Sequence, residues 1–387
     1  MIKKKVCVAI FSRANYGSIK KVLDELKKNK KIELQILTGG SANIDKYGSI
    51  SKIIKKDKFK INEEVFFFVD GDKPITMVKT TALGMIETST ALEKLRPDIV
   101  LTVGDRYETM ATVIASSYMN IPVAHTMGGE VSGTIDESIR HAITKFSHIH
   151  FPATKKSKKN IINMGENKKN IFLVGCPRID LVKECLSKKI KNLNNEVFKN
   201  GVGEKFDLNK KFITIMQYPV TTEYKHSERQ IEETLKAVSQ IDLPKLFFWP
   251  NPDAGTDKMS SIIRKWREYK KIKNTWFIKN LEHELFFNVL NKTSCLIGNS
   301  SSAIREGSYI GVPSVSVGSR QNSRERGKNV INANYNSKDI LKKIKKQLKI
   351  NRNKLRSNLY GKGNSSKKIS NILSNIRVNI QKTLNYK

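Results

Sequence analysis

HTMGGEVSGTIDESIRHAITKFSH, residues His125 to His148, is the stretch from which the fold is read. Ahead of it, Ile121 to Ala124 is a short apolar strand; the strand runs into a glycine pair, and a helical pattern follows. That is the strand–turn–helix passage of a parallel α/β sheet. Charge crowds into the passage, with Glu130, Asp136, Glu137, Arg140 and His141 close together. A solvated helix start whose acids complement the helix dipole would carry similar charges. It would have no need of Gly128, Gly129 and Gly133, which leave room for a ligand to approach the backbone.

Outward from this stretch the N-terminal half alternates β-branched strands with helical patterns. The expected strands are Lys5 to Phe11, Glu33 to Leu37, Val65 to Val69, Asp98 to Val103, Ile121 to His125 and His148 to Phe151. Helices fit Ile19 to Lys28, Ile75 to Leu95 and Glu108 to Tyr118, leaving Ser12 to Ser18 as a loop. A polar, Lys/Asn-rich region with a break at Gly175-Cys176-Pro177 separates a second alternation. Its strands are Phe212 to Gln217, Lys245 to Trp249, Trp276 to Ile278, Cys295 to Ile297 and Ser314 to Val317, with helices such as Ser227 to Ser239 and Lys258 to Tyr269 between them. The pattern predicts an α/β protein of two doubly wound Rossmann-like domains facing a cleft. Residues 1–174 form the first domain and residues 175–365 a nucleotide-binding second one. A helix over Ser365 to Leu384 closes the chain, with residues 366–387 returning to the first domain.

The length of 387 residues fits two cores, and 39% hydrophobic residues suffice to build them. No apolar run approaches the roughly 20 residues of a membrane span. Met1-Ile2-Lys3-Lys4-Lys5 leads into a short buried strand and not a signal-peptide core, so the expectation is a cytoplasmic protein without membrane partners. Four cysteines, Cys7, Cys176, Cys185 and Cys295, lie far apart and form no CxxC pair, which argues against a disulfide framework or a zinc site and for buried thiols. His148 and His150 share one face of a strand, but no HExxH or carboxylate cluster joins them, and no metal site is expected. The formal charge of +35, from 71 Lys and Arg against 36 Asp and Glu, could mark a nucleic-acid binder. The lysines are instead spread over helix faces and loops with few aromatics among them, so no nucleic-acid partner is expected. An anionic small substrate would still gain from the field.

Ligands of open α/β sheets bind beyond the carboxyl ends of the strands, so the residues just after each strand carry the functional information. After the first strand comes Arg13, in a loop that is not GxGxxG and so is no nicotinamide site; after the fourth come Gly104-Asp105-Arg106. In the second half come Tyr218, the turn containing Asn251, and Gly298-Asn299-Ser300-Ser301-Ser302 followed by Arg305-Glu306. A strand ending in Gly-Asn-Ser-Ser before a helix converges backbone N–H groups and hydroxyls on an anion, although a serine N-cap alone looks similar. Arg320, Arg324 and Arg326 follow the next strand and could pair with a phosphate. Glu306 could accept from ribose hydroxyls. Asp105, with its carboxylate held ionised by Arg106, and Asp136 are two carboxylates in different surroundings, as general acid/base work requires.

Taken in order along nearly the whole chain, these segments resemble the hydrolysing UDP-N-acetylglucosamine 2-epimerases, including the epimerase half of the bifunctional enzyme of sialic acid synthesis. In the first half the matching segments are Arg13-Ala14, Tyr47-Gly48, Arg96-Pro97-Asp98-Ile99, Gly104-Asp105-Arg106, Gly128 through Asp136, and Ser138 through Lys145. In the second they are Pro219-Val220-Thr221-Thr222, Asp253-Ala254-Gly255, Gly298-Asn299-Ser300-Ser301, and Gly318 with Arg320-Gln321. The resemblance implies a GT-B-like fold, a nucleotide-sugar substrate, a homo-oligomer (dimer or tetramer) and no metal or nicotinamide cofactor. It also implies elimination of UDP to a 2-acetamidoglycal, then addition of water to give the free 2-epimeric sugar, N-acetylmannosamine from UDP-N-acetylglucosamine. By position, Asp105 and Asp136 match catalytic acids, Arg13, Ser300, Ser301 and Arg320 match diphosphate contacts, and Glu306 matches a ribose contact. Arg106, Arg140, His141 and Asn251 complete the expected substrate-binding set.

The chain departs from the bifunctional enzyme at proton-handling positions: Met127 stands where that enzyme has a glutamate and Tyr218 where it has a histidine. Asn15, Gly17 and Asp257 are further departures, at positions where an acid, often a serine, and a lysine are usual. In one reading Glu130 or Tyr218 takes over the lost role, and the methionine suits a less polar sugar such as a UDP- or GDP-linked diacetamido-trideoxyglucose of the bacillosamine type. In the other the fold keeps nucleotide-sugar binding without epimerisation.

Overall fold

Lys4–Ile10 (β1) is apolar from Val6 onward because a parallel strand in mid-sheet is covered on both faces, and Val6 to Ile10 are indeed buried. The computed structural model to which it belongs describes residues 2–71, 73–132, 135–250, 255–269 and 271–385. The chain divides into two compact units. The first comprises Met1–Val131, Ile135–Leu181 and Tyr360–Lys387; the second comprises Ser132–Thr134 and Val182–Leu359.

In the first unit β1 is followed by α1 (Arg13–Lys28), β2 (Ile32–Thr38), α2 (Ile50–Lys56), β3 (Glu63–Glu64), α3 (Pro74–Leu95), β4 (Ile99–Val103), α4 (Tyr107–Tyr118), β5 (Val123–Thr126), α5 (Ile135–Phe146), β6 (Ile149–Phe151) and α6 (Lys155–Asn163), and α7 (Pro177–Ser187) begins in the first unit and ends in the second. The six strands are parallel in the order β3-β2-β1-β4-β5-β6. This is the doubly wound order whose connections reverse direction between β1 and β4, the place where such sheets open a crevice beyond their carboxyl ends.

Three expectations are corrected here. The segment Val65–Val69 is not a strand; pairing stops at Glu63–Glu64, although Val65 N–H still reaches the Thr38 carbonyl at 2.9 Å. Within this continuous apolar run Val65 and Phe67 enter the core while Phe66 is exposed, and Phe67 meets Phe11 edge-on at 5.0 Å. Helix α1 starts at Arg13, not Ile19, because the Ser12 hydroxyl caps it by accepting from the Asn15 N–H. The residues expected to be a loop therefore form the first turns of a helix placed at the carboxyl end of β1.

In the second unit the order is α8 (Leu193–Phe198), β7 (Val202–Gly203), β8 (Ile213–Met216), α9 (Ser227–Ser239), β9 (Lys245–Phe248), α10 (Thr256–Glu268), β10 (Thr275–Ile278), α11 (His283–Lys292), β11 (Cys295–Gly298), α12 (Glu306–Ile310), β12 (Ser314–Val317), β13 (Val330–Ala333) and α13 (Ser337–Gln347). Its sheet runs β13-β12-β11-β8-β9-β10-β7, parallel except for the two-residue β7, which pairs antiparallel with β10. The switch point lies between β11 and β8. Neither β7 nor β13 is foreseen from the sequence. The core packs Ile213, Ile215, Ile231, Leu235, Phe247 and Ile297 between sheet and helices.

The last helix, α14 (Ser365–Asn375), belongs to the first unit and packs on α1. It is the third correction, since it ends well before Leu384: Ile376 is extended, and the tail beyond it is non-helical. Lys382 in that tail pairs with Glu166 at 2.8 Å, and Glu166 also accepts from Lys145 at 2.6 Å and His150 at 3.1 Å. Among the described residues no helix is long and apolar enough to cross a membrane, and all four cysteines are buried thiols outside any disulfide.

Candidate functional site

Beyond the carboxyl end of β4 the backbone of Gly104 turns to φ +76°, a left-handed conformation that costs a glycine nothing. Asp105 follows. Its carboxylate is gripped by Arg140 of α5, whose Nε donates to Oδ2 at 3.0 Å and whose Nη2 donates to the same oxygen. Arg140 is fully buried, and its Nη1 donates to the Glu130 carbonyl at 2.6 Å. One buried guanidinium thus joins the strand end, the glycine-rich turn and the helix. A buried cation is tolerated only when paired and hydrogen-bonded in this way, and the charge it brings favours the anionic form of the carboxylate beside it.

Arg140 is therefore a cation that holds Asp105. Arg106, expected in that role, turns to Glu108 with Nε 3.0 Å from Oε2 and lies over the Tyr107 ring at 5.2 Å. Asp136 stands half-buried in the first turn of α5, four residues before Arg140 and so on the same helix face. His141 is 3.5 Å from Glu137. Glu130 is buried, and its backbone carbonyl is what binds Arg140. Arg13, at the start of α1, lies against Gly48, where an added Cβ would sit 3.6 Å from its Nη1.

Three further residues shape this site, and of them His125 carries no obvious signal in the sequence. Asn15 bridges the switch point: its Nδ2 donates to the Val103 carbonyl at 3.2 Å while its Oδ1 accepts from Phe11 N–H at 3.3 Å. A carboxylate could not make the first of these bonds, which accounts for asparagine here. His125 of β5 is fully buried; its Nε2 lies 2.8 Å from the Gly104 carbonyl and its Nδ1 3.4 Å from the Thr144 hydroxyl. Burial pushes its pKa down to about 4, so the imidazole is neutral at pH 7. Met127 is buried at φ +60°, its sulfur 3.6 Å from the Cys176 thiol. Its methyl comes within 4.0 Å of where a Cβ on Gly104 would lie.

In the second unit the switch point is bridged by another asparagine. Asn299, just after β11, accepts from Tyr218 N–H at 2.8 Å and donates to the Tyr218 carbonyl at 2.7 Å, clamping the chain that leaves β8. Arg320 Nη1 donates to the Asn299 carbonyl at 3.2 Å and Gln321 Nε2 to the same oxygen at 2.9 Å. The Arg320 guanidinium lies over the Tyr218 ring at 5.4 Å. Gly298, at φ +125°, allows β11 to pass so close to β8 that a Cβ would meet the Met216 carbonyl oxygen at 2.1 Å.

Ser300 caps the following turn, accepting from Ser302 N–H at 3.2 Å, and Ser301 opens that turn half-buried. Glu306 is buried at the start of the five-residue α12. The structure thus brings together Asp105, Arg140 and Glu130 in one unit and Tyr218, Arg320 and the Ser300 turn in the other. Asn251 lies outside the described residues. Among the described residues no group of three or more His, Cys, Asp or Glu side chains could hold a metal ion.

Two Rossmann-like α/β domains, each with polar side chains gathered at its switch point, define the GT-B-like class of nucleotide-sugar folds. Within that class, the family described as UDP-N-acetylglucosamine 2-epimerase matches residues 24–374, and the chain belongs to that family. It is 34% identical over 98% of its length to 97% of the UDP-N,N'-diacetylbacillosamine 2-epimerase (hydrolyzing) of Legionella pneumophila. It is 30% identical over 89% of its length to 87% of the UDP-N-acetylglucosamine 2-epimerase of Neisseria meningitidis. Among solved structures, the Methanocaldococcus jannaschii UDP-GlcNAc 2-epimerase in complex with UDP-GlcNAc and UDP shares the fold with a TM-score of 0.80 at 20% identity, covering 96% of this chain and 99% of that one.

Proposed function

We propose that the protein is a hydrolysing 2-epimerase acting on a UDP-linked 2-acetamido sugar, with a diacetamido-trideoxy (bacillosamine-type) sugar as its substrate. The observation that carries the reaction is Asp105, gripped by the buried Arg140 beyond the carboxyl end of β4, with Asp136 on the same face of α5. Two carboxylates that differ in surroundings can divide the work of base and acid. In the first step a base takes the C2 proton, the C1–O bond breaks and C1=C2 forms, releasing UDP and a 2-acetamidoglycal. In the second, hydroxide from water joins C1 while a proton returns to C2 on the opposite face, giving the free 2-epimeric sugar. Glu130, and Tyr218 in the second unit, are the candidates for the proton-handling positions that Met127 and Tyr218 alter. Arg13, Ser300, Ser301 and Arg320 are assigned to the diphosphate and Glu306 to the ribose, since arginines and backbone donors stabilise a departing diphosphate without a metal.

The substrate assignment rests on Met127. Its methyl packs beside Gly104, the residue before Asp105, and a thioether with no proton to exchange suits a sugar whose 6-hydroxyl is missing. The 34% identity to the L. pneumophila enzyme named for such a sugar supports the same reading. UDP-N-acetylglucosamine is the second reading, favoured by the N. meningitidis relative. Steady-state turnover of both nucleotide sugars by the purified protein tests the assignment. A higher kcat/KM for the diacetamido sugar is expected; the reverse preference would establish UDP-N-acetylglucosamine as the substrate.

A further inference from the structure

His125 has no part in the chemistry described above, yet it closes a ring of polar contacts around the residue that does. Its Nε2 faces the Gly104 carbonyl at 2.8 Å, and a carbonyl can only accept, so Nε2 carries the proton. Nδ1 is then an acceptor, and the one proton of the Thr144 hydroxyl has two acceptors within reach, Nδ1 at 3.4 Å and the Arg140 carbonyl at 3.0 Å one turn back along α5. Arg140 grips Asp105, and Asp105 directly follows Gly104. The path from His125 through Gly104, Asp105, Arg140 and Thr144 therefore returns to His125. Burial keeps the imidazole neutral at neutral pH, so it serves as a fixed donor and acceptor and not as an acid.

The surroundings are shaped to keep this contact. A Cβ on Gly128 would lie 2.8 Å from His125 Nδ1 and 2.9 Å from the Thr144 hydroxyl oxygen, so any side chain there would part the pair. The Gly104 carbonyl sits at the left-handed turn where the chain leaves β4. A histidine that merely filled the core could satisfy its nitrogens on any neighbours. This one hydrogen-bonds the turn that carries Asp105 and contacts the helix whose Arg140 grips it.

We infer that His125 is a positioning residue for Asp105, orienting its carboxylate through the Gly104 carbonyl on one side and through Thr144 and Arg140 on the other. The inference rests on Asp105 acting as an acid or base in the reaction proposed above.

Its test is a set of variants, His125→Phe, His125→Gln and Thr144→Val, assayed for kcat and KM on the nucleotide sugar that the wild type turns over. His125→Phe should lower kcat by about 10²-fold, the scale of a misplaced catalytic group, with KM unchanged. His125→Gln, whose amide can still donate to the Gly104 carbonyl, should recover most of that loss. Equal activity of the Phe and Gln variants, or wild-type kcat in both, would overturn the inference. Should His125→Phe fail to fold, Thr144→Val carries the same test with its shape preserved. Carboxyl 13C NMR gives a readout that needs no turnover. The Asp105 resonance, assigned with Asp105→Asn, should shift in His125→Phe and return toward the wild-type position in His125→Gln; an unmoved resonance would sink the positioning role. Full activity in Asp105→Asn would instead remove the catalytic reading, while the resonance still decides whether His125 acts on that carboxylate.

Discussion

Asp105 owes its environment to Arg140, thirty-five positions away. Asp105→Asn and Asp136→Asn keep size and shape but can neither accept nor deliver a carboxyl proton. Each should abolish turnover while UDP still binds, as read by calorimetry; wild-type turnover in either variant would strike that residue from the mechanism. Arg320 contributes two things in the second unit, a bond to the Asn299 carbonyl and a guanidinium face over Tyr218. Arg320→Ala should weaken UDP binding, and unchanged affinity would contradict its assignment to the diphosphate. Met127 is the residue whose meaning changes most between sequence and structure. As a letter it is only a missing glutamate. In place it is a buried left-handed residue with its sulfur beside Cys176 and its methyl beside Gly104.

At the level of elements, both sheets use the same device, an asparagine that ties together the ends of the two strands flanking the switch point. Asn299→Ala would strand the Tyr218 N–H and carbonyl, both buried, at a cost of roughly 1–3 kcal/mol for each group left unpaired. Urea denaturation should show a loss of that order, and a variant as stable as the wild type would mean that water or another donor replaces the clamp. The strand–helix alternation was legible because parallel strands covered on both faces are continuous apolar runs, and the sites were legible because their residues cluster where those runs end. The start of α1 went unread because Ser12 has the chemistry of both a loop and a cap. The two-residue β7 and the edge strand β13 are too short to show a period. The pairing of Arg140 with Asp105 depends on β4 and β5 being neighbours and on α5 crossing back over them, which local sequence does not encode. His125 is hidden for a related reason: in an apolar strand it reads as one more core side chain.

Over the whole molecule the buried histidines act in one direction. His125 takes up its proton near the ordinary 6.5 when unfolded but only near 4 when folded, because burial disfavours the charged form. Between those values the unfolded chain binds more protons, so stability falls as pH drops from about 6.5 to 4, by up to about 3 kcal/mol for this residue alone. Burial lowers His148 and His150 as well, which adds to the same loss. For Glu166 burial acts to raise the pKa, but bonds from His150, Lys145 and Lys382 outweigh it and hold the carboxyl down at about 2. Its contribution is therefore present above about 4.5 and lost as pH falls toward 2. A melting temperature that declines steadily from pH 7 to pH 4 is expected; a flat profile would contradict the buried, neutral His125. The central claim, hydrolytic 2-epimerisation, is tested most directly by proton NMR of the protein with UDP-N,N'-diacetylbacillosamine and, separately, UDP-N-acetylglucosamine in heavy water. The account predicts free UDP together with a 2-epimeric free sugar bearing deuterium at C2. A released sugar that keeps its original configuration and its C2 proton, or no turnover of either nucleotide sugar, would contradict it.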